Sequence, residues 1–228
     1  MHYLKIINTL KEKTDTVILF HSGTGKDSIM LADLCANNFK KVYCVFMYLV
    51  KDLEYENRYI NWTKKKYPNI EFIQTPHYAI YSFIKYGYLG IKKDTKQSKT
   101  TISKIDEKIR KKLGIEWSVY GFKKIDGITR RLMLNSTENG IMYKTKKAYP
   151  LMDLKNIDVL NYIKENNLIT PFNYGTLKPS SGCDISTPEF LHYLEQKYPN
   201  DLKKIIAQFP HTEIKLFNYK NYTLNETV

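Results

Sequence analysis

The residues best suited to chemistry lie between an apolar run, Val17-Ile18-Leu19-Phe20, and a helical pattern that starts near Ser28: His21, Ser22, Gly23, Thr24, Gly25, Lys26, Asp27 and Ser28. Two glycines allow tight backbone turns, Ser22, Thr24 and Ser28 offer hydroxyl donors, and Lys26 offers a cation. The helix that follows turns its amide-rich end toward the same place, where an anion is favoured. A nucleotide phosphate is the natural guest of such a bend. An ordinary Gly- and Ser-rich turn between a strand and a helix is the plainer alternative.

Two familiar phosphate loops do not fit. A G-x-x-x-x-G-K loop needs Ser or Thr after its lysine, whereas Gly25-Lys26 is followed by Asp27. A G-x-G-x-x-G fingerprint needs a third glycine where Ser28 stands. The segment resembles the PP-loop, S-G-G-x-D-S, of the ATP pyrophosphatase and phosphosulfate reductase superfamily, with Thr24 inserted between the two glycines.

Two further segments resemble the phosphoadenosine phosphosulfate (PAPS) reductase family. In Gly121-Phe122-Lys123-Lys124-Ile125-Asp126-Gly127-Ile128-Thr129-Arg130, Lys123 stands where the family's G-x-R-x-x-E-S-x-x-R has its first arginine. Asp126 stands for its glutamate, Gly127 for its serine, and Arg130 is retained. Later, Tyr149-Pro150-Leu151, Ile157-Asp158-Val159-Leu160-Asn161-Tyr162-Ile163, Pro171-Phe172-Asn173-Tyr174-Gly175 and Gly182-Cys183 follow the family's order, with Leu154 and Leu160 in place of its tryptophans. The resemblance spans roughly residues 15 to 190. Val159, Leu160 and Ile163 also have the spacing of any buried helix.

The resemblance implies a site for an adenine nucleotide, ATP or PAPS, held by Ser22, Gly23, Thr24, Gly25, Lys26, Asp27, Ser28, Lys123 and Arg130. Lys26, Asp27, Lys123 and Arg130 are its candidate catalytic residues. Asp27 has two readings, a cap on the following helix or a group that helps position magnesium (Mg2+) brought in by the nucleotide. The chemistry shared by the superfamily is attack on the α-phosphate of ATP, with AMP transfer or pyrophosphate release, and the acceptor stays open. A divergent phosphoadenylyl-sulfate reductase using Cys183 or an external thiol is the second reading, although no cysteine follows Cys183. A nucleic-acid-binding module without catalysis is the third.

These residues need a scaffold that repeats strand and helix. Residues 2–13 read as an amphipathic helix, 17–20 as a strand, 28–37 as a helix, 42–49 as a strand, 53–66 as a helix and 70–74 as a strand. Residues 117–121 read as a fourth strand. Such alternation predicts an α/β fold: a doubly wound parallel sheet of about five strands with helices on both faces, HUP/Rossmann-like, with ligands beyond the carboxyl ends of the strands. A nucleotide-binding domain over 1–180 carries a basic insertion at about 85–115, a loop and then a helix from about Ile105 to Gly114. A small irregular or helical extension covers 181–228.

The 36 basic residues against 23 acidic ones give a net charge of +13, which favours anionic partners. Lys85, Lys92, Lys93, Lys96, Lys99, Lys104, Lys108, Arg110, Lys111 and Lys112 crowd one stretch. It reads as a solvated face or as a track for tRNA or DNA. Cys35, Cys44 and Cys183 are too scattered for a disulfide framework or a metal cluster. No run is long enough for a bilayer and no signal-peptide core opens the chain, so a cytoplasmic, membrane-free protein is expected, its oligomeric state open.

Overall fold

The computed structural model describes residues 2–21, 23–173 and 184–223. Ser22 and Cys183 lie outside the described residues. Six strands form one sheet in the order β3-β2-β1-β4-β6-β5. They are β1 (Thr16–His21), β2 (Lys41–Tyr48), β3 (Ile70–Pro76), β4 (Ser118–Val119), β5 (Ile141–Met142) and β6 (Lys147–Ala148). β1 pairs in parallel with β2 on one side and β4 on the other, and β4 pairs in parallel with β6. Only β5 against β6 is antiparallel among the pairings described.

The sheet therefore has the expected doubly wound α/β form, with a sixth strand added by the β5–β6 edge. That edge escapes the sequence because two-residue strands carry too few residues to show a period. β4 is likewise shorter than the 117–121 run. Val17, Ile18 and Leu19 are fully buried, as continuous apolar strands covered on both faces must be.

The helices up to residue 173 are α1 (His2–Lys11), α2 (Lys26–Ala36), α3 (Glu54–Lys66), α4 (Tyr78–Tyr86), α5 (Ile102–Leu113), α6 (Ile128–Asn135) and α7 (Asn156–Glu165). Three more follow, α8 (Pro188–Lys197), α9 (Pro199–Gln208) and α10 (His211–Asn218). None of the described helices is long and apolar enough to cross a membrane.

The chain separates into two compact units. The first comprises Met1–Met47, Tyr59–Thr75 and Asp106–Phe172 and holds the centre of the sheet. Its α2 is fixed from the side by Asp33, whose carboxylate accepts from the hydroxyls of Tyr67 at 2.6 Å and Tyr162 at 2.5 Å. Behind β4, the buried Asp106 accepts from Ser118 Oγ at 2.5 Å and faces Arg110 Nε at 3.4 Å. Arg110 also donates to the carbonyls of Glu116 and Thr145. This cation of the basic stretch is therefore spent inside the fold.

The second unit comprises Tyr48–Arg58, Pro76–Ile105 and Asn173–Val228. Asp201 of α9 accepts from the backbone N–H groups of Glu54 and Tyr55 at 2.8 and 3.0 Å, satisfying orphan donors at the start of α3. Tyr55 meets Phe190 edge-on, with ring centroids 5.6 Å apart.

Candidate functional site

The order of strands dictates where a site can form. β2 lies on one side of β1 and β4 on the other, so the winding reverses between β1 and β4, and a crevice opens beyond their carboxyl ends. Because β1 and β4 are parallel neighbours, the loop leaving His21 and the segment leaving Val119 emerge at the same edge of the sheet. Residues a hundred positions apart meet there.

Gly23 makes the first bend, at φ +81°, and a Cβ on it would stand 2.8 Å from the Phe46 ring. Both facts demand glycine. Thr24 is buried, and its carbonyl accepts from Phe172 N–H at 3.1 Å, which ties the inserted residue to the end of the unit. Gly25 is the N-cap of α2 and brings no side chain to cap its first turn. Ser28 is buried in that turn. A lysine as first helical residue opposes the macrodipole, by about 0.3–1 kcal/mol. Lys26 nonetheless stands there, only 5% exposed.

Gly121 lets the β4 segment approach α2, since a Cβ there would sit 3.2 Å from Leu31 Cδ1 and 3.5 Å from Asp27 Cβ. Two residues later Lys123 is fully buried, at 0% exposure. Its Nζ lies 2.5 Å from Asp27 Oδ1 and 3.5 Å from Asp126 Oδ1. Lys26 Nζ lies 3.4 Å from the other oxygen of Asp27. Asp27 thus bridges two ammonium groups. Among the described residues Lys123 Nζ has these ion pairs but no hydrogen-bond acceptor in good alignment.

Arg130 joins from the next turn. Its Nη1 is 3.7 Å from Asp126 Oδ2, and its guanidinium lies 3.8 Å from the centre of the Phe122 ring. Asp126 also accepts from the backbone N–H of Lys123 at 2.9 Å, closing the short turn that aims both cations. The sheet end is floored by aromatic rings: Phe20 stacks on Tyr120 at 4.8 Å, and Tyr120 lies 5.3 Å from Phe122. The structure therefore brings together Gly23, Lys26, Asp27, Lys123 and Arg130.

Sequence reasoning missed the supporting residues Phe46, Phe122 and Phe172. Phe172 had a signal in its place after Pro171, whereas nothing local marks Phe46 as the ring that excludes a side chain at Gly23.

No group of three or more His, Cys, Asp or Glu residues able to hold a metal occurs among the described residues. With both oxygens of Asp27 turned to ammonium groups, Asp27 in this arrangement is not a ready magnesium ligand. The thiols of Cys35 and Cys44 are buried, and burial pushes Cys35 up to about 12 and Cys44 well above its ordinary value.

Residues 17–189 match the phosphoadenosine phosphosulfate reductase domain, a span that runs from β1 into α8. The chain belongs to this family. No curated protein matches the chain. Among solved structures it is similar to the U34-tRNA thiolase NcsA from Methanococcus maripaludis, at 14% identity over 91% of this chain and 78% of that one, TM-score 0.45. It is also similar to an NH3-dependent NAD synthetase from Campylobacter jejuni, at 15% identity over 94% of each chain, TM-score 0.49.

Proposed function

We propose that this PAPS reductase family member is an enzyme that binds an adenine nucleotide across the carboxyl ends of β1 and β4. In this reading it cleaves ATP at the α-phosphate. One observation carries the reading. Lys123 is wholly buried beside the glycine loop, and its Nζ has hydrogen-bonding capacity left over. Burying an ammonium costs several kcal/mol of lost hydration, which a fold tolerates where an anion is to be met.

In the reaction an acceptor oxygen attacks the α-phosphorus, the bond from phosphorus to the α–β bridging oxygen breaks, and that oxygen leaves with its electron pair as pyrophosphate. The loop amides, Ser22, Ser28 and Lys26 hold the departing β- and γ-phosphates as that charge grows. Lys123 and Arg130 steady the α-phosphate from the opposite side. Asp27 orients both lysines through its two carboxylate oxygens. Magnesium would come with the nucleotide as the counterion of its phosphates.

A second reading is favoured by the family itself, the reduction of PAPS. It needs a thiol. The buried thiols of Cys35 and Cys44 do not supply one, which leaves Cys183 or an external thiol.

The two are separated by incubating the protein with α-labelled ATP and magnesium, and in parallel with labelled PAPS and thioredoxin. Labelled AMP or an adenylylated product, with pyrophosphate, supports the first reading. Sulfite release with silence toward ATP replaces it with the second.

A further inference from the structure

The second unit contains the part of the chain that the nucleotide site leaves unused. Residues 76–105 hold six lysines, Lys85, Lys92, Lys93, Lys96, Lys99 and Lys104, against one acid, Asp94. That acid accepts through Oδ1 from the backbone N–H of Lys96 at 2.9 Å. Among the described residues none of the six pairs with a carboxylate, whereas Lys41 and Lys220 elsewhere reach Glu71 and Glu195 at 2.9 Å each.

The segment is built rather than slack. Asp94 N–H donates to Ile84 carbonyl at 3.0 Å and Gln97 N–H to Asp94 carbonyl at 3.1 Å, folding the lysine run back on the end of α4. Gly87 and Gly90 turn the chain at φ +70° and +80°, and a Cβ on Gly90 would stand 2.8 Å from the His211 ring. One on Gly87 would stand 3.5 Å from Lys93 Cβ, so Lys93 lies against the turn between Tyr86 and Tyr88.

These two tyrosines are 61% and 41% exposed. The Lys99 ammonium sits 4.8 Å from the centre of the Tyr86 ring, and Tyr88 stacks on Phe83 at 4.5 Å. Cations outside any carboxylate pair thus stand beside exposed aromatic rings. Lysines attract a phosphate backbone and release its counterions, while exposed rings stack on bases. A duplex hides its base faces and would use only the lysines.

We propose that the face formed by Tyr86, Tyr88, Lys93 and Lys99 binds single-stranded nucleic acid. The proposal stands apart from the nucleotide loop, so either can fail alone. It is tested by fluorescence anisotropy with labelled oligouridylate and oligothymidylate of about twelve nucleotides, between about 50 and 200 mM salt.

Binding by either strand that weakens steeply with salt is expected, and the tighter one names the preferred sugar. Lys93→Glu with Lys99→Glu lowers affinity about tenfold or more, as expected for loss of phosphate contacts. Tyr86→Ala lowers it about fivefold or more and Tyr86→Phe retains it, because the ring and not the hydroxyl stacks. Affinity for an ATP analogue stays unchanged in all three variants. A duplex of the same length binding as tightly, polyglutamate competing as well as the oligonucleotide, or indifference to both the lysine and the Tyr86→Ala changes would overturn the proposal.

Discussion

At the scale of single residues the site rests on backbone and charge in separate ways. Gly23→Ala forces a Cβ into the Phe46 ring at a positive φ, and is expected to cost about 1–3 kcal/mol in a urea melt and to abolish nucleotide binding. Asp27→Asn leaves the buried Lys26 and Lys123 without their shared carboxylate, so stability should drop by about 3 kcal/mol. The same change should tighten pyrophosphate binding in calorimetry, since Asp27 no longer competes with the anion. Weaker pyrophosphate binding would mean that Asp27 itself contacts the ligand. The glycine loop, Lys123 and Arg130 were legible in the sequence because their spacing survives in order. The bridging position of Asp27 was not, because it depends on a lysine brought from 96 residues away, Lys123 to Asp27.

At the scale of elements, α2 carries the loop and is held by Asp33 between Tyr67 and Tyr162. Burial first, then the bond to the Asp33 carboxylate, raises both phenols above their ordinary value of 10.0. A group protonated in the fold and ionised in the unfolded chain stabilises fully below the unfolded pKa and loses that contribution as pH climbs toward the folded one. Stability should therefore decline above about pH 10, and Tyr67→Phe with Tyr162→Phe should flatten the decline. Urea midpoints measured between neutral and alkaline pH check this, and an unchanged slope in the double variant would remove the clamp from the account. The helix period of 28–37 and the strand run of 17–20 made α2 and β1 readable in advance. The tyrosine clamp was hidden, since Tyr67 and Tyr162 lie in segments whose local pattern says nothing of a shared acid.

At the scale of the whole molecule, +13 charges must coexist, and added salt screens their mutual repulsion. The urea midpoint is expected to rise between low and moderate salt, and a fall would show that paired charges outweigh the repulsion. The parallel pairing around β1 was foreseeable from alternation, whereas β5 and β6 were too short to announce themselves. What unites the first unit is the meeting of the β1 bend with the segment after β4. Calorimetric affinity for a non-hydrolysable ATP analogue, measured for the native chain, Lys26→Ala and Lys123→Ala, reads that meeting directly. Each substitution should weaken binding at least tenfold, as loss of a charged hydrogen bond of about 1.5–3 kcal/mol requires. Binding untouched by both, in proteins that remain folded, would contradict the account.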